Sequence, residues 1–262
     1  MNTLERKTVV ITGGFGSLGL ATARVLAERG ARIALIGKDA RHDPLPAPLA
    51  EPFIVTGADL SDAQAAQAAF DAIAQQLGGV QALVNVAGAF RWETIADGSV
   101  DTWNLMFDVN VKTALNASKA ALGFMREGGG RIVNVGALAA LKAGAGMGAY
   151  AASKAALLRL TEALAEELKD RAITVNAILP SIIDTAQNRA DMPSADFSRW
   201  VQPEELGAVI AFLLSDDARS ITGAAIPVAG AGLSTLNRPA LYSAANDLAH
   251  VRFINRLLST TA

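Results

Sequence analysis

The 262-residue sequence predicts a single-domain α/β fold in which helices flank a doubly wound parallel sheet of about seven strands. Short β-branched runs alternate with longer helical stretches, which is typical of βαβ units around a parallel sheet. Hydrophobic residues make up 51% of the chain and aromatic residues 5%, which favours helices packed closely on a sheet. A chain of this length can bury a sizeable core in one domain.

The strands are predicted from short runs rich in β-branched residues. They cover residues 8–12, 32–36, 53–58, 82–85, 131–135, 174–179 and 225–228. The helices are predicted from the longer stretches between them, and Pro203 lies near the first turn of the last one. They cover residues 17–29, 62–77, 99–125, 149–169 and 204–214.

Two segments fall outside this pattern. Pro44, Pro46 and Pro48 make a helix between residues 40 and 52 improbable, so we expect a loop there. The sheet pattern stops after Gly230, which makes residues 1–230 the predicted domain. Within residues 231–262, apolar side chains recur at helical spacing after Pro239, so this tail is either an amphipathic helix docking on a neighbouring subunit or a poorly ordered terminus.

Composition excludes several classes of function. The net charge is −2 with no basic run, so no nucleic-acid partner is expected. The chain has no cysteine and only two histidines, His42 and His250, which we interpret as surface residues, so no metal site is expected. No apolar run reaches 18 residues, which predicts no membrane span and a cytoplasmic location.

A glycine-rich turn over residues 12–19 follows the first predicted strand and opens the first predicted helix. Glycines in this context let backbone N–H groups approach a phosphate at the positive end of a helix. A tight connection without a ligand is the alternative, but the flanking strand and helix favour dinucleotide binding.

The end of the second strand bears on the choice of cofactor. A carboxylate there would bind the ribose hydroxyl and exclude a 2′-phosphate. Gly37 occupies that position, Lys38 follows and Asp39 comes next. The missing carboxylate and the neighbouring cation favour NADP(H), with NAD(H) possible if Asp39 turns inward.

Polar and glycine residues follow the third and fourth strands. Asp59-Leu60 and Asn85-Val86-Ala87-Gly88 both fall at carboxyl ends of strands, where open α/β sheets bind ligands. Each is also ordinary turn chemistry, and only their joint placement favours a site. Asn110 lies within a predicted helix, where an asparagine is commonplace.

Tyr150 and Lys154 lie four positions apart in a predicted helix, so their Cβ atoms lie roughly 5–6 Å apart on one face. An adjacent ammonium is expected to lower the pKa of the phenol and make Tyr150 a proton donor. The alternative is a surface lysine beside a packed tyrosine.

Taken together, residues 8–230 resemble the short-chain dehydrogenase/reductase family. The shared motifs are the turn over residues 12–19, Asn85-x-Ala87-Gly88, Asn110, Tyr150-x-x-x-Lys154 and Pro180-Ser181-Ile182-Ile183-Asp184-Thr185. The resemblance implies a Rossmann fold, NAD(P)H-dependent oxidoreductase activity on a small molecule, and a homodimer or homotetramer.

The resemblance also implies roles for individual residues. Tyr150 would donate a proton, Lys154 would hold the nicotinamide ribose and tune Tyr150, and Asn110 would position a water. Ile183 and Thr185 would meet the nicotinamide carboxamide. The residues expected at the cofactor are Thr12, Gly13, Phe15, Ser17, Leu18, Gly19, Gly37, Lys38, Asp59, Leu60, Asn85, Ala87, Gly88, Tyr150, Lys154, Pro180, Ile183 and Thr185.

Four positions depart from the family pattern. Ser17 replaces a glycine, Val86 an asparagine and Ser181 a glycine. Ala137 stands where most members carry the serine that hydrogen-bonds the substrate carbonyl. Loss of such a donor typically costs about 2.7–4 kcal/mol in the barrier, so ordinary ketone reduction would be handicapped.

One branch of the family, the quinonoid dihydropteridine reductases, tolerates such an alanine, and residues 137–141, 146–147 and 184–200 resemble it. A quinonoid acceptor gains aromaticity on accepting hydride and needs less help from a donor. That branch uses NADH through an acidic residue at the Gly37 position, which this chain lacks. A cofactor-sensing protein that lost catalysis through Ala137 is the alternative of another class.

The substrate pocket is predicted from aromatic and apolar residues near these motifs. They are Ala137, Leu138, Phe90, Trp92, Phe197 and Trp200.

Overall fold

The computed structural model describes residues 4–39, 49, 52–125 and 129–230. His42, His250, the three prolines of the predicted loop and the predicted tail over residues 231–262 lie outside the described residues.

Seven parallel strands form one sheet in the order β3-β2-β1-β4-β5-β6-β7, which confirms the predicted fold class. The strands are β1 Thr8–Thr12, β2 Arg32–Ile36, β3 Phe53–Val55, β4 Ala82–Asn85, β5 Gly130–Val135, β6 Ile173–Pro180 and β7 Ala225–Val228. The helices are α1 Ser17–Glu28, α2 Ala63–Leu77, α3 Val100–Phe107, α4 Thr113–Leu122, α5 Gly148–Leu168, α6 Ala186–Asp191 and α7 Pro203–Leu214.

Both faces of the sheet are covered by helices. Val9 and Ile11 of β1 pack into a cluster with α1 and α7, whereas Val10 joins the opposite cluster with α2, α4 and α5. This alternation follows from the two-residue period of a strand. Fully buried strands with continuous apolar runs are therefore what this layered arrangement requires.

The strand order reverses between β1 and β4, whose ends align at Thr12 and Asn85. In sheets of this kind a crevice opens at the carboxyl ends of the strands at such a reversal. The glycine-rich turn follows β1 and Asn85-Val86-Ala87-Gly88 follows β4, so the fold brings the two predicted motifs to one crevice.

Two predicted elements differ from the structure by more than one residue at an end. The strand expected over residues 53–58 ends at Val55, because the chain turns at Gly57, whose φ is +71°. The helix expected over residues 99–125 is interrupted by a π-helical turn, Asp108–Lys112, and ends at Leu122. The short helix α6 was not predicted at all.

Candidate active site

The glycine-rich turn is packed so tightly that larger residues would not fit. A Cβ added at Gly13, whose φ is +62°, would lie 2.8 Å from the backbone nitrogen of Ala87. A Cβ at Gly19 would lie 2.3 Å from the carbonyl oxygen of Gly13. The side chain of Thr12 accepts a hydrogen bond from Ala87 N at 3.2 Å and so ties this turn to the end of β4.

This turn fits the phosphates of a dinucleotide. Helix α1 begins at Ser17, and its N-cap residue Gly16 makes no side-chain capping bond. The first turn of α1 therefore lacks a side-chain cap at its N-terminus, and an uncapped helix N-terminus after a glycine-rich turn is an arrangement that binds anions. Ser17 is exposed, while Leu18 is buried in the core.

At the far end of the turn, the ring of Phe15 covers Gly37. A Cβ at Gly37 would lie 2.3 Å from two ring carbons of Phe15. The next residue, Lys38, forms an ion pair with Asp59, with Nζ 2.8 Å from Oδ2. The hydrogen bond from Lys38, followed by those from Ser61, lowers the pKa of Asp59 to about 2. The hydrogen bond to Asp59 raises the pKa of Lys38.

Leu60 is buried beside Asp59, and its carbonyl oxygen accepts from Asn116 Nδ2 at 2.9 Å. Sequence reasoning missed Asn116, because an asparagine in a helix gives no signal of its own.

Asn85 does not present its side chain to the crevice. Its amide nitrogen donates to Asn134 Oδ1 at 2.9 Å inside the protein, and Asn134 donates in turn to Thr161 Oγ1 at 2.8 Å. The prediction that Asn85 contacts the cofactor can therefore apply only to its backbone. The buried asparagine pair thus connects β4 and β5 with α5 through side-chain hydrogen bonds.

Gly88 makes room for two polar side chains. A Cβ at Gly88 would lie 2.7 Å from Asn110 Oδ1 and 3.2 Å from Lys154 Nζ. Both groups therefore lie close to the backbone at Gly88, in space that a larger residue would take.

The side chain of Asn110 is fully buried and fully engaged. Its Oδ1 accepts from Ala89 N, and its Nδ2 donates to Ala89 O, both at 3.0 Å. The same Nδ2 donates to Ser153 Oγ at 3.1 Å. The π-helical turn carries Asn110, and π turns inside α-helices occur often at functional sites.

Ser153 joins this cluster and was missed by sequence reasoning. Its hydroxyl donates to the carbonyl oxygen of Tyr150 at 2.7 Å, so it connects Asn110 with the first turn of α5. Its position directly before Lys154 in the Tyr150 motif was the available signal.

Lys154 and Tyr150 lie close together, but the expected effect on the phenol is wrong for the protein alone. Lys154 is buried, and its Nζ donates to Val135 O at 2.8 Å. The same Nζ lies 6.0 Å from the centroid of the Tyr150 ring. Burial lowers the pKa of Lys154 to about 8. Burial also raises the pKa of Tyr150 to about 12. At neutral pH the pair is therefore a neutral phenol beside an ammonium.

Ala137 follows β5 at the base of the crevice and is 6% exposed. The following turn, Leu138–Ala140, packs on Leu158 and Leu179 through Leu138. The position expected to hold a donor is thus a methyl group in an apolar setting.

Aromatic side chains form a wall against the beginning of α5. The ring of Phe90, 57% exposed, contacts the ring of Tyr150 edge-on, with centroids 4.9 Å apart and planes at 87°. Trp92 fills the space beside Gly146, where a Cβ would lie 2.0 Å from its ring. Trp103, which we did not place among the predicted pocket residues because a helical tryptophan is more often a packing residue, lies against Gly148.

The segment after β6 is held close to the start of α7. Ile183 forms a parallel bridge with Val201, and Thr185 caps α6 by accepting from Asn188 N at 3.1 Å. Pro180 ends β6.

Phe197 and Trp200, the other two predicted pocket residues, pack on each other and do not line an open pocket. The ring of Phe197 contacts that of Trp200, with centroids 4.7 Å apart, and Trp200 is buried. The Phe197 ring also contacts the guanidinium of Arg189, whose central carbon lies 4.8 Å from the ring centroid. This segment is therefore packed on itself.

Within residues 4–39, 49, 52–125 and 129–230, no group of three or more His, Cys, Asp or Glu side chains is placed to hold a metal ion. In that part of the chain no helix has the length and apolar character needed to cross a bilayer.

A family model described as enoyl-(acyl carrier protein) reductase matches residues 14–233. The 2-(S)-hydroxypropyl-CoM dehydrogenase 3 of Xanthobacter autotrophicus is 34% identical over 87% of this chain and 97% of its own length. The 3-oxoacyl-(acyl-carrier-protein) reductase FabG of Pseudomonas aeruginosa is also 34% identical, over 87% of this chain and 98% of its own.

Solved structures share the fold along nearly their whole length. A short-chain dehydrogenase/reductase from Serratia marcescens superposes with a TM-score of 0.78 at 31% identity, covering 87% of this chain and 99% of its own. A blue fluorescent protein from a metagenomic library, in complex with NADPH, gives 0.77 at 32% identity, over 87% and 98%. Carveol dehydrogenase from Mycobacterium avium, in complex with NAD, gives 0.77 at 26% identity, over 88% and 99%.

Proposed function

The chain belongs to the short-chain dehydrogenase/reductase family of NAD(P)-dependent oxidoreductases, and we propose that it reduces conjugated, ring-bearing carbonyl, quinonoid or imine-like small molecules. The observation that carries this proposal is the pairing of a complete Tyr150–Lys154–Asn110 cluster with a methyl group at Ala137. The cluster supports proton transfer, and the methyl group restricts which acceptor is reduced efficiently.

Each polar residue has a separate task in this proposal. The bound nicotinamide supplies the hydride. The neutral phenol of Tyr150 donates the proton to the substrate heteroatom, because its raised pKa keeps the proton on the oxygen at neutral pH. With cofactor bound, the ammonium of Lys154, which now donates to Val135 O, would hold the ribose hydroxyls, and its positive charge would stabilise the tyrosinate left after proton transfer.

Asn110 and Ser153 hold the cluster in place. The side chain of Asn110 already bonds both backbone groups of Ala89 and the hydroxyl of Ser153. We therefore assign the water that replenishes the proton to the backbone carbonyl of Asn110 and not to its amide.

Ala137 determines the class of acceptor in this account. Without a second donor, only Tyr150 polarises the substrate heteroatom, and the missing bond is worth about 2.7–4 kcal/mol of barrier in typical enzymes. A quinone, a quinonoid ring or a conjugated carbonyl accepts hydride with a lower intrinsic barrier. The exposed ring of Phe90 beside Tyr150 offers such a flat group an apolar surface.

We propose NADP(H) as the preferred cofactor. Phe15 occupies the space that a carboxylate-bearing side chain at position 37 would need. Lys38 supplies a cation within reach of a 2′-phosphate and would exchange Asp59 for it. An exposed ion pair of this kind is worth only about 0–1 kcal/mol, so its loss is easily offset.

A cofactor-sensing protein is the second candidate, and the observation that favours it is again the missing donor at Ala137. Such a protein would bind NADPH tightly and show no turnover.

A turnover panel tests the proposal against this alternative. NADPH and NADH are each combined with simple aldehydes and ketones, quinones, and quinonoid dihydropterin. We expect turnover of the conjugated acceptors with NADPH, and binding without any turnover would favour the sensor.

A further inference from the structure

Arg189, in the segment that follows β6, contacts both Asp184 and Phe197. Its Nε donates to Asp184 Oδ1 at 2.5 Å and its Nη2 donates to Asp184 Oδ2 at 2.7 Å. The same guanidinium lies over the ring of Phe197. A planar fork that grips a carboxylate through two bonds is a geometry that lysine does not reproduce.

Asp184 is held from two further directions. Gln202 Nε2 donates to its Oδ2 at 2.9 Å, and its own backbone N–H donates to Val201 O at 2.8 Å. Only 5% of its side chain is exposed. The hydrogen bond from Arg189 is the main cause that lowers the pKa of Asp184 to about 2. The carboxylate is therefore charged at every working pH, and Arg189 always has a partner.

The network continues through Phe197 to the base of the segment. Phe197 packs on Trp200, and the residue after Trp200 is Val201, which pairs with Ile183. Residues 183–185 are therefore fixed from one side by the Val201 bridge and from the other by Arg189 through Asp184.

Helix α6 couples Arg189 directly to Thr185. The hydroxyl of Thr185 caps this helix by accepting from Asn188 N, and Asn188 Nδ2 donates to Ile183 O at 2.7 Å. Arg189 is the next residue along the helix. A helix of six residues is too short to be stable alone, so the ion pair between Arg189 in the helix and Asp184 before it helps to hold the helix and its cap in place.

We propose that Arg189 is a positioning residue for the nicotinamide end of the cofactor site, acting through Asp184 and Phe197 to fix residues 183–185. This inference rests on the proposed function and on the role at the nicotinamide carboxamide that the family resemblance implies for Ile183 and Thr185. Arg189 fixes the positions of Ile183 and Thr185 in this proposal. The glycine-rich turn and the Lys38 end of the site are independent of it.

The test compares ligands with and without nicotinamide on the full chain carrying Arg189→Met. NADPH and NADH contain the nicotinamide, whereas ADP-ribose and its 2′-phosphate lack it. Binding is followed by calorimetry, and kcat and KM are measured on the best acceptor of the panel. Arg199→Met removes an exposed arginine of the same segment, whose acidic neighbour is Asp196, and serves as the matched control.

We expect Arg189→Met to weaken NADPH and NADH by about tenfold and to leave the two ADP-ribose ligands at wild-type affinity. The kcat should fall by up to about 100-fold, since a misplacement of 1 Å can cost that much in rate. Arg189→Lys should keep part of the affinity, and Arg199→Met should behave as the wild type.

Two results would overturn the inference while leaving the proposed function intact. In one, Arg189→Met binds all four ligands with wild-type affinity and turns over normally with NADPH and NADH; in the other, it loses ADP-ribose as strongly as NADPH. A wild-type protein that binds neither NADPH nor NADH would overturn the proposed function itself. If the Met variant does not fold, the same affinity ratio is measured on Arg189→Lys.

Discussion

The ring of Phe15 lies directly over Gly37, so that a Cβ at position 37 would stand 2.3 Å from two of its ring carbons. A side chain at position 37 and the ring at position 15 therefore compete for the same space.

This competition predicts an interaction between the two positions. Gly37→Asp alone should weaken both NADPH and NADH, because the carboxylate displaces Phe15 into the site. Phe15→Ala with Gly37→Asp should bind NADH well and NADPH poorly, since the carboxylate then reaches the ribose hydroxyl and repels a 2′-phosphate. Calorimetric titration of the single and double variants checks this, with Phe15→Ala alone as the control. Additive effects of the two substitutions would contradict the steric account.

The buried ammonium of Lys154 predicts how stability changes with pH. Burial lowers its pKa from 10.5 to about 8, so between pH 8 and 10.5 the folded chain binds fewer protons at this position than the unfolded chain. The free energy of unfolding should therefore rise with pH across this window relative to Lys154→Met. Urea unfolding of both proteins at pH 7.5, 9 and 10 measures the difference. A difference that falls as the pH rises would show that Lys154 is paired with an anion in solution, and a flat difference would show that it is hydrated.

Restoring the absent donor should broaden the range of substrates. Ala137→Ser should raise kcat/KM for simple ketones by about 10²–10³, the range associated with one such donor. The kcat/KM for quinones should change far less, because their reduction depends less on this bond. The ratio of the two values is the measurement, and Ala140→Ser, in the same short turn, is the control. An equal gain for both acceptors would argue against acceptor selection by Ala137.

Phe90 should govern recognition of the flat group. Phe90→Ala removes the exposed ring beside Tyr150 and should raise KM for ring-bearing acceptors by about tenfold, in line with the contribution of an aromatic pair plus its buried area. Small aliphatic aldehydes should be affected little. Leu141→Ala, another exposed apolar residue, is the matched control. Equal losses for both classes of acceptor would indicate a general defect in the loop.

The sheet and the Tyr150–Lys154 pair were predictable, because strand and helix patterns and i, i+4 spacing are local properties of the chain. Asn110 carried no such signal and was predicted only through the family resemblance. The inward turn of Asn85 could not be predicted, because its partner Asn134 lies on another strand. The effect of Lys154 on Tyr150 was misjudged for the same reason, since Val135 O takes the ammonium and burial acts on both groups. The network around Arg189 joins helix α6 with residues before and after it, and the periodicity of the sequence does not predict such contacts.

Tyr150→Phe tests the central claim most directly. The variant should bind NADPH as tightly as the wild type, because the substitution removes only the hydroxyl group. Its turnover should be abolished for every acceptor that the wild type reduces. Binding is measured by calorimetry and turnover by loss of NADPH absorbance on the same preparation. Wild-type turnover in Tyr150→Phe would contradict the assignment of Tyr150 as the proton donor.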